Sequence, residues 1–174
     1  MVKKYILNFL QSTYVIFIIL AVIIWLPTWF YMSYTSPIDI QYKYNGIKYQ
    51  AGNLQIAQPI NIEVKGKYVK ELFNKFVDFD GTIKVGDMIF TGPLIFNKYG
   101  MNSLELGNEH YGMIFISDMF ENLTIEIHEA NQNGGYSWSE ENGWMISAPC
   151  NNRKEAVEIS NILEQKLHRS LIIK

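Results

Sequence analysis

From Tyr5 to Ile38 the chain carries no Asp, Glu, Lys, Arg or His. Inside that stretch Val15 to Leu26 is unbroken apolar sequence, and Tyr14 to Met32 extends it to 19 residues, interrupted only by Pro27 and Thr28. Such a segment suits no element of a small water-exposed domain. At a rise of about 1.5 Å per residue it nearly matches, as a helix, a hydrocarbon layer about 30 Å thick. Tyr14 at one end and Trp29, Phe30, Tyr31 and Tyr34 at the other fit interfacial aromatic belts. Pro27 falls near the far end, where interrupting the helix costs least.

The expected organisation has four parts. Residues 1–13 form a short cytoplasmic segment, residues 14–32 a transmembrane anchor in contact with the lipid bilayer, and residues 33–37 a stalk. Residues 38–174 form an extracytoplasmic β-rich domain. A cleaved signal peptide is the rival reading, since Lys3 and Lys4 supply a basic start and residues 14–26 an apolar centre. The following Pro27–Ser36 is crowded with aromatics and offers no A-x-A site, Ser33-x-Thr35 being a poor substitute. No cysteine follows for lipoprotein processing. An uncleaved, single-pass signal-anchor in the plasma membrane is therefore expected. Lys3 and Lys4 on the short side, against Lys43, Lys48 and Asp39 beyond the span, favour the N-terminus in the cytoplasm. The abundance of Ile, Lys, Asn and Tyr implies AT-rich codons and a low-GC bacterium.

Of the 15 basic residues, Lys3 and Lys4 precede the span, so 13 face 17 acidic ones in the domain, a net charge of −4. A mildly acidic domain lacks the basic stripe that nucleic acid demands, which excludes that partner. Cys150 is the only cysteine, so no intramolecular disulfide and no cysteine-based zinc array can form. It reads as a small buried hydrophobe; a nucleophile would need a histidine partner.

Past residue 38 the apolar pattern has mostly period two. Ile38–Tyr44 and Ile47–Tyr49 read as a hairpin over Asn45-Gly46, the preferred pair for a type I′ turn. Ile60, Ile62 and Val64 form a half-buried strand. Val69, Leu72, Phe73 and Phe76 recur at helical spacing, predicting a short amphipathic helix over Tyr68–Phe76. Thr82–Val85 and Met88–Phe90 make a hairpin over Gly86-Asp87, where glycine first suits type II′. Leu94–Phe96 and Leu104–Leu106 are expected to pair around a Gly100 turn, with Met113–Ile116 as a central strand. Leu123, Ile125 and Ile127 point inward, and Thr124, Glu126 and His128 toward solvent. Tyr136–Trp138 and Trp144–Ile146 make a last hairpin over residues 140–143. Asn152 with Glu155 resembles a capping box, opening a helix whose stripe is Ala156, Ile159, Leu163 and Leu167. No long helix separates consecutive strands, so parallel winding is disfavoured. The expected fold is α+β: an antiparallel β meander, as a curled sheet or partly closed barrel, with the C-terminal helix packed on it.

No catalytic, cofactor-binding or metal-binding residue is assigned from sequence. Asp78-Phe79-Asp80-Gly81 looks like a calcium-loop fragment but lacks the remaining ligands, and reads as a turn between helix and hairpin. Glu126 and His128, with Glu129, His110 or Glu109, could meet a metal only if they converged; they read as a solvated strand face. Ser117-Asp118 lacks a G-x-S-x-G context and reads as a turn or cap. Asn122-Leu123-Thr124 is a formal glycosylation sequon, without meaning in a bacterium. Tyr136, Trp138 and Trp144 read as cross-strand packing, with a binding face as the alternative. Two functions remain. The first is a non-catalytic envelope domain binding a protein, an envelope polymer or a small apolar ligand. The second is an envelope enzyme with an unfamiliar site on the sheet face. The absence of a convergent polar group in the sequence ranks the first ahead.

Overall fold

The computed structural model describes residues 13–70, 77–131 and 134–165, and the chain divides into two units, Met1–Ser36 and Pro37–Lys174. In the first unit helix α1 runs from Thr13 to Thr35. Pro27 lies inside it and, lacking an N–H, leaves the carbonyl four residues back without its helical donor. The Thr28 hydroxyl donates to the next carbonyl, that of Ile24, at 2.8 Å, and Thr35 does the same for Tyr31 at 2.9 Å. Hydroxyls thus turn inward onto the backbone. No residue of Tyr14–Thr35 is buried, and the helix is long and apolar enough to cross a membrane.

The second unit is α+β. Its strands are β1 (Ile38–Gln50), β2 (Ala57–Lys70), β3 (Val77–Val85), β4 (Met88–Thr91), β5 (Leu94–Phe96), β6 (Met101–Leu106), β7 (Glu109–Ile116), β8 (Leu123–Ile127), β9 (Glu129–Ala130), β10 (Tyr136–Ser137) and β11 (Trp144–Ala148). Helix α2 spans Arg153–Gln165. Nine strands share one antiparallel sheet in the order β4-β3-β2-β1-β11-β8-β7-β6, with β5 also paired to β3, while β9 and β10 form a separate ribbon. The end strands β4 and β6 come back toward each other, so the sheet is nearly closed, the curl that the period-two pattern implies.

The interior is filled by Ile62, Val64, Phe79, Ile83, Phe90, Leu104, Ile114, Leu123, Ile125 and their neighbours, all fully or nearly fully buried. A second cluster, Ile47, Tyr49, Ala51, Met145, Cys150 and Ala156, lies on the other face of the sheet, under α2. Asn152 Oδ1 accepts the Glu155 amide at 3.0 Å, capping α2. The Glu155 carboxylate accepts the Asn151 amide at 2.8 Å, one residue earlier than in the usual reciprocal box. Ala156 and Leu163 of the expected stripe are buried and Ile159 is partly so; Leu167 lies outside the described residues. Ser160 and Glu164 are buried on the same side, so the helix meets the sheet on a partly polar seam. Arg153 Nη2 pins its start by donating to the carbonyls of Gln50 and Ala51, at 3.2 and 2.7 Å.

Several expected elements differ. Asn45-Gly46 does not turn: β1 continues through it, pairing with β2 from Ile38↔Tyr68 to Tyr49↔Ala57. The alternation never breaks. Ile40, Tyr42 and Tyr44 face the interior, and what changes beyond Gly46 is that the opposite face, Ile47 and Tyr49, becomes covered as well. Gly46 is required by proximity rather than by a turn, since a Cβ there would lie 2.8 Å from the Ser147 carbonyl and 3.2 Å from the Ala148 Cβ. Gly46→Ala is expected to cost about 1–3 kcal/mol through overpacking, read as a lowered thermal midpoint of the detergent-solubilised chain. An unchanged midpoint would mean that β11 does not cross β1 there.

Tyr68–Lys70 ends strand β2 instead of starting a helix, because Tyr68 is drawn into the core opposite Ile38 and Phe79. Residues 71–76 of that expected helix lie outside the described residues. The hairpin over Gly86-Asp87 forms as expected, with Val85 opposite Met88 and Gly86 at φ +60°. Its first strand begins earlier, so Asp78–Gly81 is strand and not a turn. β5 pairs with β3 and β6 with β7, although the chain does turn at Gly100. Trp144–Ala148 does not pair with Tyr136–Trp138: it sits between β1 and β8, where both of its faces are buried. Thr124 and Glu126 are also buried, at 0% and 1% exposure, because α2 packs on the side of β8 that the alternation assigns to solvent.

Between β7 and β8 a short 3₁₀ turn, Asp118–Phe120, closes one end of the curl. Met119 and Phe120 are the two non-glycine residues with positive φ among those described, at +52° and +60°. The Phe120 ring is fully buried among Phe79, Phe96 and Tyr68, with centroids 4.8, 5.5 and 6.2 Å away. Tyr44 donates its hydroxyl to the Phe120 carbonyl at 2.9 Å. Asp118 accepts from the Tyr68 hydroxyl at 2.9 Å and from Lys70 Nζ at 2.7 Å. Burial works to raise the Asp118 carboxyl, but these two donors outweigh it and hold the group below its usual range.

Candidate functional site

The polar side chains that come together lie on the outer face of β6, β7 and β8. β6 and β7 form a hairpin over Gly107-Asn108, with Gly107 at φ +68°. From Met101↔Phe115 to Leu104↔Gly112 its register is regular, and then it slips, so that Glu105 faces His110 and Tyr111 has no partner on β6. A bulge of this kind re-aims side chains. Tyr111 packs against the interior, its ring 5.1 Å from that of Phe90, and His110 is left on the outer face beside Ser103. β8 carries Glu126 on that face too, opposite Met113, and His128 follows two residues later.

These four residues form a chain. Ser103 Oγ lies 3.1 Å from His110 Nδ1, His110 Nε2 lies 2.9 Å from His128 Nδ1, and His128 Nε2 lies 3.6 Å from Glu126 Oε2. The last distance is that of an ion pair rather than a direct hydrogen bond. A neutral imidazole has one donor and one acceptor nitrogen, so the contacts constrain one another. With Glu126 ionised and facing a His128 Nε2–H, His128 Nδ1 must accept from His110 Nε2–H. His110 Nδ1 is then an acceptor, and Ser103 donates to it. If both histidines were charged, two N–H groups would point at each other and the central bond would break. The His128 side chain is 16% exposed and that of Glu126 2%, so the acidic end is withdrawn from water while the serine end is half-buried. The Tyr136 ring covers His110 at 5.3 Å.

Ser103 also borders a depression of about 250 Å³ between β4 and β6, walled by Phe90, Pro93, Leu94, Asn102 and Glu105. A larger open depression, about 750 Å³, lies over the Lys43–Glu63–Lys84 row of β1, β2 and β3. Two of its charges are spent on one another, Lys43 pairing with Glu63. The smaller depression is the one that meets the chain of polar contacts, at its Ser103 end.

The sequence points to only part of this. His110, His128 and Glu126 are brought together, while Glu109 and Glu129 remain exposed. Among the described residues no group of three His, Cys, Asp or Glu side chains could hold a metal ion. Ser103 has no signal in the sequence, because its place depends on the β6–β7 pairing and on the bulge. Cys150 is 4% exposed, its Sγ lies 3.0 Å from the Ser147 carbonyl, and burial pushes its thiol up to about 11. It is not a poised nucleophile. Asp78 and Asp80 flank the buried Phe79 on an extended strand, which gives no wrapped calcium loop. Ser117 Oγ accepts the Asn122 amide at 2.7 Å, a turn role. Within the sequon Leu123 and Thr124 are fully buried. The three aromatics part company: Trp144 lies under Lys48 Nζ at 4.9 Å, Trp138 packs on the α2 cluster, and Tyr136 covers His110. Under α2, Tyr49, Thr124, Ser147 and Ser160 bond to one another at 2.5–3.3 Å, and burial pushes the Tyr49 hydroxyl up to about 12. That set satisfies the polar groups of a packed interface. In comparisons with known proteins, no family model, no curated protein and no solved structure matches the chain.

Proposed function

We propose that the chain is a single-pass membrane protein that holds an interaction domain on the outer side of a bacterial plasma membrane. The observation that carries the reading is α1: 22 residues, Tyr14–Thr35, without a charge and without a buried side chain. Apolar area contributes about 25 cal/mol per Å² when it leaves water, and a helix apolar on every side is satisfied best by lipid. Lys3 and Lys4 support a cytoplasmic N-terminus, with the domain from residue 38 outside. The domain would bind a protein, an envelope polymer or a small apolar ligand without chemistry of its own. A second reading, an envelope enzyme with its site on the sheet face, is favoured by the convergence of Ser103, His110, His128 and Glu126.

In fractionated cells the full-length chain is expected to stay with membranes through an alkaline carbonate wash and to leave them in detergent. A soluble species beginning near Ser36 would instead identify α1 as a cleaved signal. Protease added to spheroplasts should digest the domain; its protection until lysis would reverse the orientation.

A further inference from the structure

We infer that Ser103 is a nucleophile activated by His110, at a site for small acyl esters on the seam between β4 and β6. The inference deepens the enzyme reading above and rests on it. Three observations meet at this residue. With Glu126 ionised against His128 Nε2–H, the two hydrogen bonds run in one direction, toward a His110 Nδ1 that accepts the Ser103 proton. The half-buried serine borders a depression of about 250 Å³ whose walls include Phe90, Pro93 and Leu94, room for a short acyl chain. The Ser103 amide donates to the Asn102 side chain at 2.7 Å, a partner that a substrate oxygen can replace, which places a backbone donor beside the nucleophile where an oxyanion would form.

The step balances with water as the sole co-reactant. Ser103 Oγ attacks the ester carbonyl carbon, and its proton passes to His110 Nδ1 as the Oγ–C bond forms. His128 Nδ1 continues to accept from the His110 imidazolium's Nε2–H, and Glu126 faces His128 Nε2–H. When the bond to the alcohol oxygen breaks, His110 returns the proton to that oxygen. Water then adds to the acyl-serine by the same route and releases the carboxylic acid. Ser103 and His110 touch the reacting atoms, whereas His128 and Glu126 are positioning residues.

The test uses the full-length chain in detergent, with a fluorophosphonate, which loses fluoride as its phosphorus joins Oγ, and with p-nitrophenyl acetate. Peptide mass spectrometry should find the phosphonyl group on Ser103, and Ser103→Ala should lose both labelling and ester turnover. His110→Gln should slow labelling by roughly 10²–10⁴-fold, the range of a general base. His128→Asn keeps an acceptor oxygen near the place of Nδ1 and should label faster than His128→Ala, a difference that a purely structural role would not produce. Ester turnover that survives in Ser103→Ala would overturn the serine while leaving the enzyme reading standing. A chain that melts cooperatively yet neither labels nor turns over ester would overturn both.

Discussion

Phe120→Ala should lower the stability of the domain by about 3–5 kcal/mol, the usual cost of emptying a buried aromatic position. For a domain of this size that is a fall of roughly 6–20 °C in thermal midpoint. Two effects act together. The ring fills the space among Phe79, Phe96 and Tyr68, and its burial holds Met119 and Phe120 at positive φ, a conformation that costs about 1–3 kcal/mol per non-glycine residue. Without the ring nothing repays that strain, and the Asp118 and Phe120 contacts to Tyr68 and Tyr44 should loosen with it. Scanning calorimetry of the solubilised chain reads the effect directly. A midpoint within a degree of wild type would show that Phe120 is not the plug of the curled sheet.

Leu163→Asp should be of similar size, about 3–5 kcal/mol, for an electrostatic reason. Leu163 is 2% exposed on the sheet side of α2, and Glu164 beside it is fully buried. The substitution puts a second carboxylate into the seam where the first already has to be accommodated. Loss of the α2 packing would uncover Tyr49, Met145 and Cys150, so labelling of Cys150 by a thiol reagent should speed up as the midpoint falls. A mutant that melts like wild type with its thiol still protected would mean that α2 is not docked on β8 and β11.

What the sequence makes legible is local. The charge-free helix, the glycine-first hairpin at Gly86, the capped α2 and the antiparallel α+β class follow from composition, turn chemistry and period, and each depends on residues close together in the chain. Errors arise where one local pattern serves two environments. Asn45-Gly46 carries a turn signal, but the glycine answers to a strand 100 residues later, Ile47 lying opposite Ser147. Glu126 and His128 alternate like solvent-facing residues because alternation reports two faces without saying which is covered. Tyr68–Lys70 keeps to the strand because pairing with β1 and β3 outweighs a weak helical periodicity. The candidate site is the least legible part. His110 faces Ser103 only because Tyr111 is left over in the β6–β7 register, and a one-residue bulge leaves no mark that composition or spacing can reveal.

The strand order also has a consequence for biosynthesis. β1 to β5 form one half of the sheet and β6, β7, β8 and β11 the other, and the halves meet where β1 pairs with β11, the first strand with the last. Closing a loop of about 100 residues costs about 2 kcal/mol more than closing a ten-residue one, so this pairing should come late. Until Ala148 has been made, the Ile47–Gln50 edge of β1 has no strand to meet. A nascent chain therefore spends nearly all of its synthesis with an open, partly apolar strand edge, a feature prone to pairing with the wrong chain. Ribosome stalling or premature termination ahead of β11 should yield a sticky half-sheet for proteases and chaperones to clear, not a smaller working domain.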